Sequence, residues 1–132
     1  MTEKVRVLVA DDEAHIRQLI KGILIAMKTE VTAEAHNGLV ALEKFRECQP
    51  HITLLDINMP VMDGLQTLRA IQKEKPGAMV IMLSSLATMG IVQDCLAAGA
   101  YDFIRKDTAI ADIKAIIKNA WKHYLSNELP KK

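Results

Sequence analysis

The stretch Ile52-Thr53-Leu54-Leu55-Asp56-Ile57-Asn58-Met59-Pro60-Val61-Met62-Asp63-Gly64 decides the fold. Its apolar head reads as a buried strand that ends on one carboxylate, Asp56. A loop carrying Pro60 follows, and Asp63-Gly64 is where a helix can start. In an open parallel sheet, ligands bind outside the carboxyl ends of the strands. A charge placed just past a strand that must be dry therefore points to chemistry. A second apolar run, Val5-Arg6-Val7-Leu8-Val9-Ala10, also ends on carboxylates, Asp11 and Asp12. Two neighbouring strands ending in acids would put three carboxylates in one pocket.

Outward from these two strands, the pattern alternates strand and helix five times. The first helix follows Asp12, with Ile16, Leu19, Ile20, Ile23, Leu24 and Met27 at helical spacing. Glu13 stands four residues before Arg17, the favourable order for a pair within a helix. A brief second strand is expected over Glu30 to Ala35, and Asn37 as the N-cap of a second helix that Pro50 terminates. The third helix starts near Gly64, turns Leu65, Leu68 and Ile71 inward and stops at Lys75-Pro76-Gly77. The fourth strand, Ala78 to Leu83, is continuously apolar, as expected when helices cover both faces. A fourth helix spans about Thr88 to Ala98, with Gly99 as its C-cap. Tyr101 to Arg105 is the fifth strand, and the fifth helix follows Thr108 with Ile110, Ile113, Ile116, Ile117, Ala120, Trp121 and Tyr124. Five such βα units specify an α/β fold: a five-stranded, doubly wound parallel sheet with five helices. Residues 1–125 read as one domain and residues 126–132 as a solvated C-terminal tail.

Composition narrows the function. The 132 residues fit one domain of common size, and half are hydrophobic, enough for a core. With 17 basic and 16 acidic residues the net charge is +1, unlike the basic excess of a nucleic-acid binder. No apolar run approaches the roughly 18 residues needed to cross a bilayer. Met1-Thr2-Glu3-Lys4 is polar and opens no signal-peptide core. Cys48 and Cys95 lie on separate expected helices, outside any Cys-x-x-Cys, so reduced thiols in a cytoplasmic protein are expected. His15, His36, His51 and His123 show no metal-ligand spacing.

Adjacent carboxylates at Asp11 and Asp12 suit a hard divalent cation such as Mg²⁺; alternatively, one of them simply caps the first helix. Asp56 at the end of the neighbouring strand favours the cation, because three close carboxylates repel one another without one. Asp56 can also act as a nucleophile and form an aspartyl-phosphate, or serve only as a metal ligand. Ser84 and Lys106 each follow an apolar strand and so project to the same sheet edge. Alone, each reads as an ordinary loop serine or a solvated lysine. Together, a hydroxyl and an ammonium there can contact two oxygens of a phosphoryl group.

In these residues the chain resembles a response-regulator receiver domain, the phospho-acceptor half of two-component signalling. Asp11-Asp12, the run Asp56 to Gly64 with Met-Pro-x-Met-Asp-Gly, Leu83-Ser84-Ser85 and Gly99 to Lys106 follow the family pattern in order, over residues 4 to about 125. The resemblance implies a flavodoxin-like sheet of strand order 2-1-3-4-5. It implies that Asp56 accepts phosphate from a phosphohistidine on a sensor histidine kinase or phosphotransfer protein. It implies Mg²⁺ held by Asp12, Asp56 and the Asn58 backbone carbonyl, with Asp11 acting through water. Ser84 and Lys106 would contact the phosphoryl group. Phe103 would be the switch aromatic that turns inward as Ser84 moves, although a core-filling strand residue is the plainer reading. The output surface would be the fourth helix, fifth strand and fifth helix, offered to a protein target, with no direct contact to nucleic acid or membrane. Such a protein catalyses only its own phosphorylation and dephosphorylation.

Two positions depart from the family pattern. Asp107 stands where a proline usually follows the lysine, which predicts a trans Lys106–Asp107 bond. It also sets a negative charge beside Lys106 that would compete with phosphate. Leu86 replaces a residue that is often polar, which predicts slow self-dephosphorylation. Three other functions fit less well. A Mg²⁺-dependent phosphatase would want an acid where Asn58 stands. A flavodoxin-like cofactor binder needs a phosphate-cradling loop that is absent after the first strand. A degenerate receiver, acting as a phosphorylation-independent interaction module, would not need the full set of acids with Ser84 and Lys106.

Overall fold

The computed structural model of the chain describes residues 4–85 and 89–128. Ten elements alternate along it: β1 Arg6–Ala10, α1 Ala14–Ala26, β2 Glu30–Ala35, α2 Gly38–Cys48, β3 Ile52–Asp56, α3 Gly64–Glu74, β4 Met79–Ser84, α4 Met89–Ala97, β5 Asp102–Arg105 and α5 Ile110–Glu128. All five strands pair in parallel, in the order β2-β1-β3-β4-β5. This is the flavodoxin-like, doubly wound sheet with five helices that the alternation predicts.

The central strands β3 and β4 are buried along their whole length because each face is covered, whereas the edge strand β2 carries Glu30, Thr32 and Glu34. Leu8, Leu55, Val80 and Met82 point to one side and pack with Ala41, Leu42, Phe45, Leu68, Ile71 and Cys95 of α2, α3 and α4. Val7, Val9, Leu54, Ile81, Leu83 and Ile104 point to the other and pack with Ile20, Ile23 and Leu24 of α1 and Ile113, Ile117 and Ala120 of α5. Side chains alternate with the period of two that a strand imposes. The hydrophobic term, about 25 cal/mol per Å² of apolar surface removed from water, is therefore collected on both faces.

Local signals place the helix starts. The Asn37 side chain accepts the Val40 N–H at 2.8 Å. Asp63 and Gln66 form a capping box at the start of α3. Gly64 is required there, since a Cβ at this position would run into the Asp56 backbone. Gly99, with φ of +108°, closes the α4 region as expected.

Several expectations are corrected. Ser84 is not in the loop after β4 but is its last residue, fully buried. Leu19 and Ile110, counted in the apolar patterns of the first and fifth helices, are 43% and 49% exposed, because the core-facing stripes of α1 and α5 are narrower than their apolar runs. The fifth helix continues through Glu128, so Ser126 is helical where a tail is expected. The Leu86 position and Thr88, the expected start of the fourth helix, lie outside the described residues. Cys48 and Cys95 are free thiols.

Candidate functional site

The register of the sheet assembles the site. Ala10 of β1 pairs with Leu55 of β3, so the next residues, Asp11 and Asp56, emerge side by side. Asp56 pairs with Leu83, which brings Ser84 to the same edge. Ser84 pairs with Arg105, and its carbonyl accepts the Lys106 N–H at 2.8 Å. The four strand ends that the sequence marks as chemical thus converge at one place, as open parallel sheets allow.

Asp11 and Asp56 are buried, with 0% and 2% of their surface exposed, while Asp12 lies on the open side. One carboxylate oxygen from each of these three residues falls within 4.8 Å of the others. Lys106 reaches into the cluster with its side chain only 8% exposed. Its Nζ lies 2.8 Å from Asp11 Oδ2, 2.8 Å from Glu13 Oε1 and 3.3 Å from Asp56 Oδ2. The Asn58 N–H donates to Asp56 Oδ1 at 3.2 Å and fixes the rotation of the carboxyl.

Burial and then the neighbouring Asp11 charge push the Asp56 carboxyl up to about 7, with Lys106 pulling the other way. Burial alone would discharge Lys106, but hydrogen bonds to Asp11 and Glu13 and the charge of Asp56 outweigh it and hold the ammonium well above the ordinary lysine value. The hydrogen bond and charge of Lys106 hold Glu13 below the usual carboxylate range.

This donor set fits a hard divalent cation. It offers only oxygen ligands, two of them from buried acids whose mutual repulsion a cation relieves. The Ser84 hydroxyl is buried and has no hydrogen-bond partner among the described residues. A buried hydroxyl without an acceptor is costly.

Phe103 is half-buried beside the α2–α3–α4 core, in register with Met82. Two charge pairings differ from expectation. Glu13 does not pair with Arg17; it bonds Lys106, while Arg17 donates to Glu34 at 3.3 Å and to the Asp11 carbonyl at 2.6 Å. Asp107 does not lie on Lys106; it pairs with Arg105 at 3.2 Å. No cis peptide bond occurs among the described residues, so Lys106–Asp107 is trans as expected. Glu13 is the site residue that spacing missed. Its partner is 93 positions away, and the only sequence signal for it is that it follows Asp12 directly.

The sequence pattern described as "Response regulator receiver domain" matches residues 7–118. The chain is 46% identical over 101 residues to the chemotaxis protein CheY of Listeria monocytogenes, which spans 76% of this chain and 85% of that protein. It is 42% identical over 114 residues to a protein-glutamate methylesterase/protein-glutamine glutaminase of Archaeoglobus fulgidus, covering 84% of this chain but 32% of that longer protein. Among solved structures, a chain of the CheX-CheY-BeF3-Mg complex from Borrelia burgdorferi superposes with a TM-score of 0.85 at 30% identity, covering 88% of each chain.

Proposed function

This chain belongs to the response regulator receiver domain family, and we propose that it is a phosphorylation switch whose acceptor is Asp56. Response-regulator function in two-component signalling follows from family membership. The observation that most supports the finer reading is the convergence of four strand ends on Asp56, with a buried hydroxyl and a buried ammonium on either side of the acids.

The donor is a phosphohistidine of a sensor histidine kinase or phosphotransfer protein. An Asp56 oxygen attacks phosphorus as the P–N bond breaks, and the electron pair returns to the imidazole nitrogen, which is protonated. Asp56 must be ionised to attack, and its raised pKa is the obstacle. Bound Mg²⁺, held by Asp12, Asp56 and the Asn58 backbone carbonyl with Asp11 acting through water, would neutralise the carboxylates and the incoming phosphoryl charge. Lys106 can shift from Asp56 Oδ2 to a phosphoryl oxygen, since it already lies 3.3 Å away. The Ser84 hydroxyl donates to another oxygen and thereby gains its missing acceptor. Movement of Ser84 frees the space into which Phe103 turns, and the α4–β5–α5 surface then changes its affinity for a protein target.

Activity is confined to the domain's own phosphorylation and dephosphorylation. It acts in the cytoplasm, without binding nucleic acid or membrane directly. No helix among the described residues is long and apolar enough to cross a membrane. Pairing of Asp107 with Arg105 weakens the case for a phosphorylation-independent module, because Lys106 stays directed at the acids. Incubation with acetyl phosphate and Mg²⁺ should add one phosphoryl group to the intact mass, and Asp56→Asn should abolish the adduct. A wild-type protein that gains no mass under these conditions would point instead to an interaction module.

A further inference from the structure

We propose that Glu13 is a positioning residue for Lys106: a second seat that holds the ammonium when a divalent cation claims Asp11 and Asp56. The inference rests on the metal site proposed above. Lys106 Nζ is shared among Asp11, Glu13 and Asp56 at 2.8, 2.8 and 3.3 Å. Two of these three carboxylates also belong to the candidate cation cluster. A cation and an ammonium cannot both hold those oxygens closely, because like charges repel. A buried ammonium left without a partner would be strongly unfavourable. Among the described residues, Glu13 is the one carboxylate that touches Lys106 from outside the trio.

Its local geometry suits the task. Glu13 is the N-cap residue of α1, yet its side chain makes no capping bond. Glutamate is not a favoured cap, and here its carboxylate is directed to Lys106. Its main chain is held at the cluster, since the Glu13 N–H donates to Asp11 Oδ1 at 2.8 Å. Its side chain is 44% exposed, on the outer side of Lys106, with His15 Nε2 at 3.7 Å from the second oxygen. The ammonium can therefore lean outward to Glu13 without leaving the site.

The test is Mg²⁺ titration by calorimetry on the whole chain, with melting curves to show that each variant folds. E13Q should weaken Mg²⁺ binding about fivefold, the scale of one charge-assisted hydrogen bond at a partly exposed pair. E13D keeps the charge but not the reach, and should weaken binding to a similar extent. In a K106M background the same substitutions should change the affinity by less than about twofold, because coupled residues lose their effect together. If E13D binds Mg²⁺ as the wild type does, or if E13Q costs as much in K106M, Glu13 acts only as a nearby charge and the proposal fails. If the wild type takes up no Mg²⁺ at millimolar concentration, the metal reading falls along with it.

Discussion

Burial disfavours the charge on Asp56 and Asp11 repels it, which pushes its carboxyl from the ordinary aspartate value up to about 7. The folded state therefore holds a proton on Asp56 over a range in which the unfolded chain has released it. The stability that comes from this proton is fully present below about pH 4 and is lost as pH rises through about 7. Glu13, Glu34 and Glu74 run the other way: their lowered values give stability that disappears in acid. The Asp56 contribution is isolated by difference. In metal-free buffer, wild-type stability relative to Asp56→Asn should fall between pH 4 and 7, with a slope of up to about 1.4 kcal/mol per pH unit. Urea denaturation across that range checks it, and parallel curves would show that Asp56 is not strained by its neighbours. At the same scale, the three acids that the sequence marks, Asp11, Asp12 and Asp56, do come together, but the sequence assigns Glu13 to Arg17 and Asp107 to Lys106. Both errors come from preferring partners close in sequence over partners that the fold brings near.

The loop between β3 and α3 carries backbone strain at a β-branched residue. It runs from Asp56 to the Asp63–Gln66 capping box, and Gly64 lets the helix start against the Asp56 backbone. The Gly64 N–H donates to the Ile57 carbonyl at 2.8 Å, which closes the loop. Within it, Val61 has φ of +71° and is 75% exposed. A β-branched side chain in the left-handed region is unfavourable by about 1–3 kcal/mol. Asparagine tolerates that conformation far better. Val61→Asn should therefore raise the unfolding free energy by about 1 kcal/mol with an unchanged denaturant slope. A loss of stability would mean that the exposed valine makes contacts that outweigh its backbone strain. The sequence locates this loop and the helix start near Asp63-Gly64, but neither the Asp63–Gln66 capping box nor the sign of φ at Val61, which follows from how the loop is pinned at both ends.

On the scale of the whole molecule, the sheet works as a frame that brings three repelling carboxylates to one edge. Anything that neutralises them should stabilise the fold. At Mg²⁺ tenfold above its dissociation constant, binding to the native state alone adds about 1.4 kcal/mol. For a domain of this size that is a rise in Tm of roughly 4 °C, reversed by a chelator. A Tm indifferent to Mg²⁺ would argue that Lys106 already compensates the acids. The sequence by itself determined the five βα repeats, the dry central strands, the cap at Asn37, a helix start near Asp63-Gly64 and an acid at the end of β3, because these depend on periodicity and turn chemistry within a few residues. Only the tertiary structure decided that Ser84 is buried without a partner, that Lys106 is shared among Asp11, Glu13 and Asp56, and that Arg105 removes Asp107 from the site. Those pairings depend on which strand ends lie side by side, and strand order and register place next to each other residues that stand far apart in the chain.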